Sequence, residues 1–137
     1  MIYEIKHNIL TMALIVLAGV TAVLTDCTAV GSIATINGMS LTPDPPVPGQ
    51  NFSLSVSYLL NEDVIGGTSF YEASLNGLPW TQTDDLCTQT SCPIVAGQHT
   101  EVSTTEFPTF TGKLTTAITW DDTSGREIWC VNVVYKA

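Results

Sequence analysis

The sequence predicts an all-β sandwich of about seven strands. Segments that alternate apolar with small polar residues recur along the chain, and clusters of glycine, proline, asparagine and aspartate separate them. No stretch after residue 24 keeps the 3.6-residue apolar period of an amphipathic helix. A chain of 137 residues has room for one domain of this kind.

The N-terminal segment predicts a secretory signal peptide. Lys6 precedes an apolar run from Ile9 to Leu24 that ends in small residues. The run is shorter than the ~20 residues of a membrane-spanning helix, and no basic cluster follows it. We place cleavage after Ala22, which makes residues 1–22 the signal peptide and residues 23–137 the mature domain, with an uncleaved anchor as the alternative. Export would deliver the protein outside the cell or to the endolysosomal or vacuolar lumen.

Four cysteines predict two disulfides, because the secretory pathway oxidises thiols. Three pairings are possible. The short spacing from Cys87 to Cys92 favours a local bridge, which leaves Cys27 to pair with Cys130 and to join the two ends of the domain. A zinc site is the alternative, but the spacing contains no paired C-x2-C motifs. We therefore expect no bound metal and no cofactor.

Residues 51–60 form the clearest predicted strand. Their alternation puts Phe52, Leu54, Val56 and Tyr58 on one face and three serines on the other, as in a half-buried strand. Asn51 also begins an Asn-Phe-Ser sequon, which predicts N-glycosylation in a secreted chain.

The C-terminal segments predict a β-hairpin. Residues 113–120 present Leu114, Ile118 and Trp120 on one side, and residues 126–135 are rich in β-branched and aromatic side chains. The intervening DDTSG has turn chemistry.

Candidate catalytic and metal-binding residues are few. The sequence has neither a G-x-S-x-G nor an H-E-x-x-H motif, and His99 is expected at a solvated loop or strand end. The pairs Asp84-Asp85 and Asp121-Asp122 do not fit a calcium-loop spacing and are expected to be exposed turn residues. The protein is therefore not expected to be an enzyme; a secreted hydrolase is the alternative.

The charge balance excludes another class of function. Acidic residues outnumber basic ones by 13 to 4, for a net charge of -9. A nucleic-acid-binding domain needs a basic surface, so we expect no nucleic-acid partner. The same charge predicts weak attraction to anionic bilayers near neutral pH.

Six short motifs follow one another along the chain. They are P-x-P-G-Q at Pro46 to Gln50, Leu78-Pro79-Trp80, D-L-C-x4-C-P at Asp85 to Pro93, Phe107-Pro108, G-K-L-x5-W at Gly112 to Trp120, and Trp129-Cys130. Together they resemble the ML-domain (MD-2-related lipid-recognition) family, and are most similar to Niemann-Pick type C cholesterol carriers and fungal phosphatidylglycerol/phosphatidylinositol transfer proteins. The resemblance spans about Cys27 to Tyr135.

The resemblance implies an immunoglobulin-like β-sandwich with an apolar cavity between its sheets that holds one lipid, and the same disulfide pairing. Pattern alone would favour a solid aromatic core instead. Trp80 and Phe107 match the two lips of the family's cavity entrance, and Phe110 matches a gate residue. The other implied lipid-binding residues lie on inward strand positions: Val56, Tyr58, Leu114, Ile118 and Trp120.

The predicted function is secreted, non-catalytic lipid binding and lipid transfer, with a sterol or phospholipid as cargo and transient membrane contact. We expect a monomer. The alternative is a secreted recognition module that presents its loops or a bound lipid to a receptor or membrane-protein acceptor. Sterol carriers usually have a third disulfide, and this chain has no cysteine between Ile33 and Gln50 to form it, so both lipid classes stay open.

Overall fold

The computed structural model describes residues 19–137, which form eight strands and one short helix. The elements are β1 (Thr21–Asp26), β2 (Ala34–Thr42), β3 (Asn51–Leu60), β4 (Gly67–Leu75), β5 (Leu78–Asp85), α1 (Leu86–Gln89), β6 (Gly97–Glu106), β7 (Lys113–Asp122) and β8 (Glu127–Lys136). The four-residue helix α1 is far too short to cross a bilayer. Residues 19–137 contain no other helix that is long and apolar enough to do so.

The strands form two antiparallel sheets. The larger has the order β1-β8-β7-β4-β5, and the smaller has the order β2-β3-β6. This arrangement confirms the predicted immunoglobulin-like sandwich, with eight strands in place of about seven. Strand β1 starts at Thr21 and so overlaps the apolar run assigned to the signal peptide.

The N-terminal boundary of the mature chain stays a prediction. Residues 1–18 of the predicted signal peptide lie outside the described residues. Val20 is buried in the core, and Thr21 and Ala22 pair with the end of β8. Cleavage after Ala22 would therefore remove one core residue and the first two residues of β1.

The best-defined predicted elements are confirmed. Strand β3 has the bounds that the alternation predicts, and Leu54, Val56 and Tyr58 on its inner face are all buried. The C-terminal hairpin forms as β7 and β8. Asn51 is exposed at the first position of β3, where a glycan would meet no core residue; its glycosylation stays a prediction.

The main core closes one side of the sandwich. Here β1 and β8 of the larger sheet lie against β2 and β3 of the smaller one, around Ile33, Val131 and Val133. Both predicted disulfides are confirmed: Cys27–Cys130 joins the end of β1 to β8, and Cys87–Cys92 closes the segment that contains α1. Burial holds the two sheets together on this side, and the Cys27–Cys130 bridge fixes β1 to its neighbour β8 within the larger sheet.

The β7–β8 turn depends on a buried carboxylate. Asp122 accepts hydrogen bonds from the backbone N–H groups of Ser124 and Arg126 and from Arg126 Nε, at 2.8–2.9 Å. Burial alone would raise the pKa of Asp122, but the hydrogen bonds and charge of Arg126, with the Ser124 N–H, hold it below the ordinary value. The expectation that Asp122 is an exposed turn residue is therefore wrong: the turn needs its carboxylate to satisfy donors.

The variant Asp122→Asn should lower the free energy of unfolding at pH 7 by about 1–3 kcal/mol, because the acceptor loses its charge and the oxygen that accepts from Arg126 Nε. A lowered folded-state pKa stabilises the fold above the unfolded-state pKa, and this contribution disappears as pH falls through the folded-state value. Urea unfolding should therefore show the two proteins converging below about pH 4. A difference that stays constant down to pH 2 would assign the loss to packing.

Candidate functional site

A cavity of about 400 Å³ lies between the two sheets, on the side away from the main core. Strands β3 and β6 form one wall, and β4, β5, β7 and β8 form the other. Strands β5 and β6 are edge strands, and exposed residues from both, such as Trp80 and Val102, belong to the wall. The cavity is therefore open to solvent between these two edges.

The apolar wall comes from the alternation of the strands. Leu54 and Val56 are inward positions of β3, and Ile118 and Trp120 are inward positions of β7. Trp129 of β8 stacks on Trp120 with ring centroids 4.4 Å apart. All three tryptophans of the chain line the cavity.

Four of the eight residues expected to bind lipid line this cavity: Val56, Trp80, Ile118 and Trp120. Trp80 is 54% exposed and makes an edge-to-face contact with Tyr71 at 5.2 Å. Its position on an edge strand at the opening agrees with the expected entrance position, and its role in binding stays a prediction.

The structure places the other four away from the cavity wall. Phe107 is 1% exposed, and its ring lies 4.9 Å from Tyr135 and 5.2 Å from Phe52, so it fills the end of the core instead of forming a lip. Phe110 packs on Phe107, and Leu114 packs against the same core. The loop after β6 turns inward because this cluster buries its first residue.

The fourth is Tyr58, which is fully buried behind the wall. Its hydroxyl donates to Glu101 Oε1 at 3.1 Å, and the Thr90 hydroxyl donates to the same oxygen at 3.0 Å. Burial, together with the neighbouring negative charge of Glu101, raises the pKa of Tyr58. Tyr58 therefore stays protonated as a donor that fixes the Glu101 carboxylate.

Sequence reasoning missed the polar part of the wall. Its members are Ser69 and Tyr71 of β4, Gln82 and Asp84 of β5, Gln89 of α1, and Glu101, Ser103 and Thr105 of β6. The sequence did contain a pattern that indicates this polar face, namely the two-residue spacing of Glu101, Ser103 and Thr105. A search for apolar inward faces passes over a strand whose inward face is polar.

His99 and Asp85 take structural positions, whereas Asp84, expected to be an exposed turn residue, lies in β5 and lines the cavity. His99 lies in β6, stacked on Tyr58 at 5.6 Å, with its Nε2 bonded to the Val95 carbonyl. Asp85 caps α1 by accepting a hydrogen bond from the Cys87 N–H at 2.8 Å. Within residues 19–137 no cluster of three or more metal-ligating side chains occurs.

Fold and cavity together define a β-sandwich with a partly apolar pocket between its sheets. The chain belongs to the ML domain family, which it matches over residues 22–137. This family consists of lipid-binding and lipid-transfer proteins. The family expected from the sequence motifs is therefore confirmed.

Two relatives show similarity in sequence. One, from Dictyostelium discoideum, is 34% identical over 104 residues, covering 70% of this chain and 71% of the relative; its name provisionally describes a phosphatidylglycerol/phosphatidylinositol transfer protein. The other is the phosphatidylglycerol/phosphatidylinositol transfer protein of Aspergillus fumigatus. It is 31% identical over 111 residues, which cover 74% of this chain and 63% of the relative.

Two examples represent the solved structures that share the fold. A Niemann-Pick type C2 protein from the Japanese carpenter ant superposes with a TM-score of 0.64 at 16% identity, covering 82% of this chain and 96% of that one. Chicken MD-1 complexed with lipid IVa superposes with a TM-score of 0.67 at 11% identity, and the superposition covers 86% of this chain and 90% of that one. At these identities the likeness establishes the architecture alone.

The core and cavity assignments of Phe107 and Trp80 predict losses of stability of very different size. Phe107→Ala should lower the free energy of unfolding by about 3–5 kcal/mol, because it leaves a void in a buried cluster. Trp80→Ala should cost about 1 kcal/mol or less, since one aromatic contact is lost at an exposed site. Equilibrium urea unfolding measures both values. Equal losses would contradict the two placements.

Proposed function

We propose that this protein is a secreted, non-catalytic lipid carrier that binds a sterol or phospholipid in the cavity between its sheets. The cavity carries the proposal, because about 400 Å³ of partly apolar space opens between two edge strands in a family of lipid-binding proteins. Pockets of ~300–1,000 Å³ are typical of small-molecule sites. Two disulfides support export, since such bridges are rare in cytosolic proteins.

Burial of hydrocarbon supplies the binding free energy. Removing ~400 Å² of ligand hydrocarbon from water stabilises the complex by roughly 10 kcal/mol before the cost of association. Leu54, Val56 and Ile118 offer aliphatic contacts, and the stacked pair of Trp120 and Trp129 offers a flat aromatic surface. Micromolar affinity or better follows for a lipid that fills this space.

Native mass spectrometry of protein secreted from eukaryotic cells, followed by lipid extraction, tests this function. We expect one co-purifying lipid per chain. Trp80→Ala should reduce lipid retention at least about tenfold, because an aromatic contact at the opening is lost. The matched control is Val95→Ala, at an exposed apolar residue outside both the cavity wall and the β4–β5 hairpin. An empty protein that also refuses added sterols and phospholipids would favour the recognition-module alternative.

We further propose that the carrier meets membranes through the β4–β5 hairpin. The turn at Asn76 and Gly77, both with positive φ, carries exposed Leu75 and Leu78 on its flanks. The Asn76 N–H donates to the backbone carbonyl of Lys113, so the hairpin lies beside that lysine. An exposed apolar tip next to a cation is suited to the surface of an anionic bilayer.

The charge distribution supports this orientation. Lys136 lies opposite Lys113 across β7 and β8, and neither forms a salt bridge within residues 19–137. The other cation in this range, Arg126, is paired with Asp122 and Glu62 at the far end of β7. The two unpaired positive charges of an otherwise acidic domain thus occur at the hairpin end.

The double variant Lys113→Gln/Lys136→Gln should reduce co-sedimentation with phosphatidylglycerol-containing vesicles by about fivefold or more at low salt, because each cation near an anionic surface contributes ~1 kcal/mol. Val30→Glu/Ile65→Glu changes the net charge equally at exposed sites elsewhere and is the matched control. Equal losses in both double variants would assign the effect to net charge and remove the hairpin orientation.

A further inference from the structure

A row of four paired residues that begins at Asp84 crosses one end of the cavity wall. Strand register pairs Asp84 with Ser69 and Ser69 with Trp120. Trp120 in turn pairs with Trp129, so four cavity-lining side chains cross the larger sheet in one line. Trp80 lies on the same face of β5, four residues before Asp84. The row and the exposed tryptophan therefore mark opposite ends of the wall.

Glu101 extends this polar end onto the smaller sheet. The ring of Tyr58 lies 6.1 Å from that of Trp129, and its hydroxyl donates to Glu101 Oε1. Thr90 donates to the same oxygen. Glu101 Oε2 receives no hydrogen bond from residues 19–137, and Glu101 lines the cavity. The carboxylate is thus held in place with one oxygen available to a ligand that can donate.

Trp129 supplies an independent observation. Trp129 is only 3% exposed, and its buried Nε1–H has no acceptor within the described residues. Buried N–H groups in folded proteins are nearly always hydrogen-bonded. Trp129 lines the cavity but its Nε1 is buried, so the indole would have to turn to present this N–H to an oxygen of a bound ligand.

All charged side chains at this end of the cavity are acidic. The cavity wall, as formed by residues 19–137, contains the carboxylates Asp84 and Glu101 and no lysine or arginine. Asp84 Oδ2 accepts a hydrogen bond from Gln82 Nε2 at 2.7 Å, so this carboxylate is also oriented. A phosphate placed here would meet two like charges without a compensating cation.

We propose that the polar end selects an uncharged, hydroxyl-bearing lipid headgroup and rejects a phosphate. A hydroxyl can donate to the carboxylate of Glu101 or Asp84, whereas an ionised phosphate has acceptors only. The inference rests on the proposed lipid-carrier function and narrows its cargo. It departs from the phosphate-bearing lipids in the names of the relatives.

Three lipids with the same oleoyl chain test the selection: 1-oleoylglycerol, 1-oleoyl-lysophosphatidic acid and methyl oleate. The delipidated protein is offered equimolar mixtures, and native mass spectrometry measures each complex. We expect the oleoylglycerol complex to exceed the lysophosphatidic acid complex about tenfold or more, since like charges oppose the latter. A parallel titration with cholesterol distinguishes a sterol hydroxyl from a glycerol headgroup as the preferred hydroxyl.

The double variant Asp84→Asn/Glu101→Gln should bring that ratio to within about threefold, mainly through stronger binding of lysophosphatidic acid. A glutamine carbonyl can still accept from Tyr58 and Thr90, so the fold should be kept, which thermal unfolding checks. The control Asp44→Asn/Glu106→Gln removes the same charge at exposed sites outside the cavity wall.

The outcomes separate the two proposals. Equal binding of the glycerol and phosphate lipids, or a ratio unchanged by Asp84→Asn/Glu101→Gln, would overturn the headgroup selection and leave the carrier function standing. Failure to bind any of the three oleoyl lipids or cholesterol would overturn both.

Discussion

The asymmetric closure of the sandwich is the constraint on which the rest of the structure depends. Apolar burial holds β1 and β8 against β2 and β3 on one side, and the Cys27–Cys130 bridge ties β1 to β8 within the larger sheet. Five strands face three, so β5 and β6 end the sheets on the other side, where the cavity opens. Because one side carries the stabilising core, the other can expose apolar surface to a ligand without loss of the fold.

The division of the aromatic residues follows from this closure. Phe52, Phe107 and Tyr135 make edge-to-face contacts that fill one end of the core. The tryptophans instead surround the open space. Polar side chains on β6 are compatible with solvent entry, since carboxylates such as Glu101 would be costly inside a dry core. A cavity that is apolar along β3 and β7 and polar near Asp84 and Glu101 matches an amphiphile better than a pure hydrocarbon.

The sequence predicted much of the fold, because alternation, turn chemistry and cysteine spacing act locally. The bounds of β3, the β7–β8 hairpin and both disulfides are as predicted. Part of the cavity wall was predicted: strand parity puts Val56, Ile118 and Trp120 on inward faces, and the family resemblance assigned those faces to the cavity. Phe107 depends instead on how a loop packs after its strand ends. Asp122 was misplaced since turn residues are usually solvated, and only the tertiary structure reveals which donors its carboxylate must satisfy. Glu101 and Asp84 were missed as cavity residues because no local pattern tells a polar cavity wall from a polar surface.

Quenching of the native tryptophan fluorescence by a lipid with brominated acyl chains tests the central claim most directly. Trp80, Trp120 and Trp129 are the only tryptophans of the chain, and all line the cavity. A lipid bound between the sheets should quench most of the emission at one equivalent, while its unbrominated counterpart should not. Stoichiometric binding of the brominated lipid without quenching would place the lipid outside the cavity and contradict the account.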